Sequence, residues 1–398
     1  MARIVLAMSG GVDSSVAAML LRAEGHEVIG VFMRHGEEAQ EACAVDGQAG
    51  FTLPIFNKRA DHKQGCCSAS DAEDARRVAD KLEIPFYALN LQAEFRQIID
   101  YFVDEYTRGR TPNPCVQCNN WLKFGKLFDY ADGVGAEFVA TGHYARLSDS
   151  AGVELSSTPG TQRKSEVGTA RPTLLRGVDE SKDQSYVLFG IERRLLKRMM
   201  LPVGGFRKSE IRQMAAEMGL RVADKKDSQE ICFVTSGKHD EFVRGRRRGI
   251  DMSGEVVTTE GAVVGRHAGI EGFTIGQRKG LGVAMGEPYF VVRIEANARR
   301  VVIGRQEELA QRELTADQCN WLVDLPAGEF SCTAKIRYNS PPAAARAEAL
   351  AGGRLRVVFD EPRAGVAPGQ AVVLYEGEQV LGGGWIEGGE MRRQGEGE

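Results

Sequence analysis

Apolar residues come in two rhythms along this chain. From the start to about residue 205, short continuous apolar runs alternate with stretches of helical spacing. Ile4-Val5-Leu6-Ala7 predicts a buried strand, followed by a helix of small residues from Val16 to Leu20. Val28 to Met33 predicts a second strand, Pro85 to Leu89 a third and Ala136 to Thr141 a fourth. Between them, Ser70 to Leu82 and Phe95 to Tyr106 carry apolar residues at helical spacing. Uninterrupted apolar runs fit strands covered on both faces. Alternation with helices therefore predicts an α/β unit, a doubly wound parallel sheet with helices on both sides. Ligands of such sheets bind at the carboxyl ends of the strands. The turn after the first strand, Met33 and Gly142 all fall there.

Two polar stretches interrupt this pattern, at 34–65 and at 148–171, and both predict loop excursions. Lys208 to Gly219 predicts a helix of a small middle region. From about residue 275 the rhythm changes to short β runs separated by Gly and Pro, such as Tyr289 to Ile294, Val301 to Ile303, Cys332 to Tyr338 and Leu355 to Phe359. That spacing predicts a small antiparallel barrel or sandwich. The expected division is 1–205, 206–275 and 276–390.

A length of 398 residues suits two or three domains. No stretch approaches the ~20 apolar residues of a membrane span, and the N-terminus has the pattern of a core strand rather than of a secretory signal. A cytoplasmic location is expected. The net charge of −4, from 51 basic and 55 acidic residues, does not announce a nucleic-acid partner. Any such partner must be met by local basic patches. The best are Arg244-Gly-Arg246-Arg247-Arg248 and Lys225-Lys226, although an arginine run is more often a solvated face.

The turn after the first strand is rich in chemistry. Met8-Ser9-Gly10-Gly11-Val12-Asp13-Ser14-Ser15 joins strand to helix. Its glycines permit a left-handed turn and close backbone approach, and the helix end offers unpaired N–H groups to an anion. Ser9, Ser14 and Ser15 add hydroxyls. The loop has no Lys, so it is not the Gly-x4-Gly-Lys-Ser/Thr pattern. The string resembles the pyrophosphate loop of the ATP pyrophosphatase families, which split ATP between the α and β phosphates. That resemblance implies ATP, with Asp13 helping to hold Mg²⁺.

Eight cysteines in such a chain suit thiols, metal ligands or nucleophiles better than a disulfide framework. Cys115 and Cys118 form a Cys-x-x-Cys in Thr111-Pro112-Asn113-Pro114-Cys115-Val116-Gln117-Cys118-Asn119. A helix is expected to start just after it. Cys118 would then lie near a positive helix end, with Arg110 and Lys123 close in sequence, features that favour thiolate. A buried structural Cys or half a metal clip is the plainer alternative. Cys232, in Ile231-Cys232-Phe233-Val234, has the pattern of a core cysteine when taken alone. Cys319 and Cys332 also suit a core, and Cys43, Cys66 and Cys67 carry no assigned role. His143 either orients a phosphate or caps its loop.

Taken together, Ser-Gly-Gly-Val-Asp-Ser-Ser, Thr-Pro-Asn-Pro with Cys118-Asn119, Ala-Thr-Gly-His-Tyr-Ala, Lys182-Asp183-Gln184-Ser185-Tyr186, Asp227 to Phe233 and Phe273 to Gly282 occur in this order. The chain thereby resembles the bacterial tRNA-specific 2-thiouridylases over residues 1 to about 385. The resemblance implies adenylation of the C2 oxygen of the wobble uridine in tRNAs for Glu, Gln and Lys. It further implies a persulfide on Cys232, delivered by a cysteine desulfurase or a relay protein, and Cys118 as the nucleophile that frees the sulfur, leaving a Cys118–Cys232 disulfide. ATP contacts map onto Ala7, Met8, Ser9, Gly10, Gly11, Val12, Asp13, Ser14, Met33 and Gly142. Target-base contacts map onto Asn113, Pro114 and Cys115. Further tRNA contacts map onto Lys182, Asp183 and Gln184, onto the central region, and onto Arg337 and Tyr338 of the C-terminal barrel. Cys115 departs from the family, in which Asp is common there. It either packs on the target base or shares redox duty with Cys118, or else joins Cys118 and Cys232 around a [4Fe–4S] cluster.

Overall fold

The computed structural model describes residues 1–34, 69–148, 172–225, 231–234, 239–247 and 249–388. Both expected loop excursions, together with Cys43, Cys66, Cys67 and the Asp227–Glu230 part of the cysteine motif, lie outside the described residues. The N-terminal sheet is built from β1 (Arg3–Ala7), β2 (Glu27–Arg34), β3 (Phe86–Asn90), β4 (Phe138–Ala140) and, further along the chain, Met199–Met200. All neighbours are parallel, in the order β3-β2-β1-β4 with Met199–Met200 outermost. Alternation of side chains along each strand sends two apolar sets to opposite faces. Ile4, Leu6, Val28 and Phe32 meet α1 (Val12–Ala23) and α2 (Ala69–Lys81) on one side. Val5, Ala7, Ile29 and Val31 meet Phe124, Leu127 and Phe128 on the other. Strands β2 and β3 lie on one side of β1 and β4 on the other. The order therefore reverses at the carboxyl ends of β1 and β4, where a crevice is expected.

Helix α3 (Gln92–Thr107) is followed by one long helical rod. It opens as α4 (Pro114–Gln117), passes through a π-helical stretch at Cys118–Lys126 and ends as α5 (Leu127–Gly133). The sequence placed a helix start after Cys118. Instead the rod begins four residues earlier, because Asn113 caps it and Pro114, which has no N–H to satisfy, fills its first position.

Beyond the sheet, β5 (Ala145–Leu147) and β6 (Leu174–Arg176) form a hairpin, β7 is the edge strand Met199–Met200, and α6 (Lys208–Glu217) and α7 (His239–Arg246) follow. The middle sheet joins β8 (Gly254–Thr258) and β9 (Val263–His267) to β10 (Phe290–Glu295) and β11 (Arg300–Gly304). The parallel β8–β11 pairing carries that unit across the division expected at 275/276, so the first strands assigned to the barrel belong to the middle sheet. Pairing across a long connection leaves no local trace in sequence.

The last unit comprises β12 (Ala310–Trp321), β13 (Glu329–Lys335), β14 (Ala343–Leu350), β15 (Arg354–Ala364), β16 (Ala371–Glu376) and β17 (Gln379–Gly388). Pairing of β12 with both β15 and β17 closes these strands into a ring without open edges. The β5–β6 hairpin extends from β17. Ala371, Val373, Tyr375 and Trp385 share one core with Tyr186, Leu188 and Phe189, so the barrel is packed directly onto the N-terminal unit.

Candidate active site

The loop between β1 and α1 is shaped by what lies beneath it. Gly10 has φ +70°, and a Cβ there would stand 2.1 Å from the backbone oxygen of Asp71 in the first turn of α2. Only glycine allows both the turn and the approach. At the end of β4, a Cβ on Gly142 would meet Ser14 N at 2.8 Å, so the strand end is pressed against the helix start. Met8 N donates to Val31 O at 2.8 Å, which extends the strand geometry into the loop. Ser14 Oγ accepts from Ser9 N at 3.2 Å and donates to Gly11 O at 3.2 Å. Ser15 Oγ donates to Gly11 O at 2.8 Å. Ala7, Met8 and Val12 are buried and build the frame of the loop rather than its surface. No side chain caps α1, whose N-cap is Gly11. Its first-turn N–H groups and positive helix end suit a phosphate chain.

Two lysines from outside the loop converge on it. Lys208, the first residue of α6, places Nζ at 2.8 and 2.9 Å from the two carboxylate oxygens of Asp13. Tyr144 Oη donates to the same carboxylate at 2.7 Å. Lys225 Nζ donates to Gly10 O at 3.0 Å, Asp71 Oδ1 at 2.6 Å and Asp74 Oδ2 at 2.7 Å. Burial works against the Lys225 charge, but hydrogen bonds to Asp71 and Asp74 outweigh it and raise its pKa. Sequence reasoning singled out neither Lys208 nor the Tyr144 hydroxyl, and it counted Lys225 only as part of a basic patch. The usable signal was the missing lysine itself, since a loop without its own cation must borrow one. Magnesium is usually bound through one or two carboxylates plus substrate phosphates. A single carboxylate at the mouth of an uncapped helix, as Asp13 is, fits that role.

His143 follows Gly142 and is turned inward. Lys123 Nζ, a donor only, lies 3.4 Å from Nε2, which leaves the ring proton on Nδ1 to donate to Thr141 Oγ1 at 2.7 Å. Burial, with Lys123 adding, holds His143 well below its usual pKa. It is a neutral strut tying the end of β4 to the π-helical stretch.

The cysteine region is of another kind. Asn113 Oδ1 accepts from Val116 N at 3.3 Å, and Asn113 N donates to Tyr101 Oη at 3.3 Å. Pro114 is buried while Cys115 is exposed. Cys118 opens the π-helical stretch, and such stretches recur at functional sites. Cys118 and Cys232 both pack against one apolar cluster containing Phe95, Ile98, Phe102 and Leu122. Met33, from the end of β2, packs against that cluster too. The structure thus brings the two cysteines and one predicted ATP contact together. It does not assemble the three-thiolate cluster site. Among the described residues no group of three Cys, His, Asp or Glu side chains is arranged to hold a metal ion. Cys115 sits on the outside of the helix start, toward the barrel, whereas Cys118 and Cys232 pack on the apolar side.

The remaining predicted contacts divide. Asp183 is 4% exposed and accepts from Gly177 N, Ser185 N, Ser185 Oγ and Arg176 Nε, so its carboxylate is an internal latch turned away from solvent. Gln184 Oε1 accepts from Tyr144 N at 2.9 Å. Lys182 is half-buried. Arg337 donates to Gly365 O and Ile275 O, stitching barrel to middle unit. Tyr338 is 37% exposed, and its hydroxyl is pushed up to about 12 by burial, with the charges of Asp183 and Cys115 adding. It stands next to the predicted target-base segment. The arginine run is largely used for packing. Arg244 pairs with Glu271 and Arg247 with Asp104, while Arg246 lies over Phe242. Lys226 and Arg248 lie outside the described residues.

Residues 2–236 match the family model described as tRNA methyl transferase HUP domain. Residues 241–305 match the tRNA methyl transferase PRC-barrel domain, and 311–386 the aminomethyltransferase beta-barrel domain. The chain is 59% identical over 402 residues to a tRNA-specific 2-thiouridylase MnmA of Rhodopirellula baltica, covering 97% of this chain and 96% of that one. It is 45% identical over 386 residues to a protein of the same name from Geobacter metallireducens, again covering 97% and 96%. Among solved structures, an NMN synthetase from Francisella tularensis aligns over 56% of this chain and 66% of that chain, at 14% identity and a TM-score of 0.31, too distant to add to the fold.

Proposed function

This chain belongs to the tRNA-specific 2-thiouridylase family of tRNA sulfurtransferases, and from that premise we propose a two-stage reaction for it. In the first stage the O2 atom of a wobble uridine attacks the α-phosphorus of ATP, the bond to the β-phosphate bridge breaks and pyrophosphate leaves. The β1–α1 loop receives the phosphates through backbone N–H groups and the helix end. Asp13 is the residue that would hold Mg²⁺, which when bound screens charge on the phosphates. Lys208 and Tyr144 orient that carboxylate. Adenylation matters because a urea-like oxygen is a poor leaving group and AMP is a good one.

In the second stage Cys232 carries the sulfur as a persulfide. Its outer sulfur bonds to C2 and AMP departs. The Cys118 thiolate attacks the Cys232 sulfur and displaces the transferred atom, leaving a Cys118–Cys232 disulfide. An external thiol reductant then supplies two electrons and resets both cysteines. Two thiols are needed because one carries sulfur and the other cleaves the sulfur–sulfur bond. The uridine must leave the anticodon stack to reach the loop, and Asn113, Pro114 and Tyr338 flank the proposed landing place. The substrates under this reading are cytoplasmic tRNAs for Glu, Gln and Lys. The sulfur donor is a cysteine desulfurase or a relay protein.

The observation that carries the reading is the shared apolar cluster, on which Cys118, Cys232 and Met33 meet. The test is mass spectrometry of the wobble uridine after incubation of tRNA with ATP, a sulfur source and the protein. The expected product is 2-thiouridine with AMP and pyrophosphate. ATP binding without AMP release on any tRNA would overturn the reading.

A further inference from the structure

The polar network under the loop continues into the segment that carries Cys232. Lys208 and Arg212 lie one helical turn apart on α6. Lys208 holds Asp13, while Arg212 donates from Nη1 to Ala223 O at 2.6 Å and from Nη2 to Lys225 O at 3.0 Å. The Lys225 backbone is therefore fixed by α6, and its ammonium is fixed by the loop and α2. Cys232 follows seven residues later in the sequence, packed at the other side of the crevice. The two lysines face three carboxylates, those of Asp13, Asp71 and Asp74, so their local sum is one net negative charge. A polyphosphate entering this site brings several more negative charges. It must compete with Asp71 and Asp74 for the Lys225 ammonium, because desolvated like charges repel strongly.

We propose that Lys225 is a positioning residue that couples phosphate binding in the loop to the placement of Cys232. Its side chain exchanges carboxylate partners for nucleotide phosphate, and the chain that follows it shifts with it. This inference rests on the reading that the loop binds ATP and that Cys232 carries the sulfur. It assigns a task to a residue that touches neither the base nor the sulfur, and it explains how sulfur is withheld until ATP is in place.

The experiment reads the alkylation rate of Cys232 by peptide mass spectrometry, with and without the magnesium complex of a non-hydrolysable ATP analogue. In the full-length wild-type protein the analogue is expected to change that rate at least about threefold. Lys225→Met is expected to abolish the change while still binding the analogue, and Lys225→Arg to restore it. Asp74→Asn, which removes one competing partner at a half-exposed position, is expected to lower the analogue concentration needed, and this arm stands even where Lys225→Met does not fold. A Cys232 rate that ignores bound analogue in the wild type, or responds equally in Lys225→Met, overturns the proposal, as does an unchanged midpoint in Asp74→Asn. Failure of the wild type to bind the analogue by calorimetry instead overturns the ATP reading beneath it.

Discussion

Around the nucleotide loop, ammonium and carboxylate groups meet at 2.6 to 2.9 Å, whereas around Cys118 and Cys232 the neighbours are aromatic and aliphatic side chains. Phe95, Phe102 and Phe242 meet Phe233 ring to ring at centroid distances of 5.7, 5.1 and 5.4 Å. The contrast follows from the two chemistries. Phosphates arrive and leave with large charge, so their seat is made of ion pairs that can trade partners. Sulfur transfer competes with water, so its seat is made of close-packed apolar surface, which excludes solvent and does not rearrange cheaply.

The comparison breaks most severely at the sulfur atoms. Cys118→Ser and Cys232→Ser are each expected to lower thiolation on the order of 10³-fold or more, since a nucleophile acting in a chain of steps is not replaced by its neighbours. Thiouridine yield per tRNA checks this. Next in size, Phe102→Ala, fully buried in the cysteine cluster, is expected to cost about 3–5 kcal/mol of stability. Urea unfolding measures it, and faster alkylation of Cys118 should accompany it. On the polar side, Gly10→Ala meets both the left-handed φ and the Asp71 oxygen. Strain of about 1–3 kcal/mol predicts roughly 10–100-fold weaker ATP binding by calorimetry.

The smallest effect separates the two regions by pH. The folded-state pKa of His143 lies well below its model value of 6.5, through burial and Lys123. The unfolded chain takes up the proton first, so the contribution of His143 is fully present above about pH 6.5 and is lost as pH falls below it. The slope is at most about 1.4 kcal/mol per pH unit. His239 and His267, also lowered by burial, act in the same direction. The urea midpoint should drop between pH 7.5 and 5.5, and His143→Gln should flatten part of that fall. An unchanged slope in the variant would remove His143 from this account.

Much of this architecture is legible in the chain because local patterns have local causes. Ile4 to Ala7 is apolar throughout since both faces of β1 are covered, and the Ser-Gly-Gly turn announces an anion seat by its own chemistry. The cysteine motifs stand out by composition. The start of the rod at Pro114 was missed because the unusual π-helical stretch drew attention to the residues after Cys118, while the true cap, Asn113, lay upstream. The inward turn of Asp183 was also invisible. A charged residue between Lys182 and Gln184 has the pattern of surface until its four hydrogen-bond partners are known.

What the sequence alone determined is the class of chemistry: a phosphate-binding turn, two separated thiols and a family likeness that spans almost the whole chain. Only the tertiary structure decided that Cys118, Cys232 and Met33 share one apolar cluster, that Cys115 stands apart from them, and that the missing loop cation comes from Lys208 and Lys225. The reason is distance along the chain. Residues 195 positions apart, as Asp13 and Lys208 are, meet only because a parallel sheet returns each strand to the same edge, and no local pattern records which returning segment will arrive there.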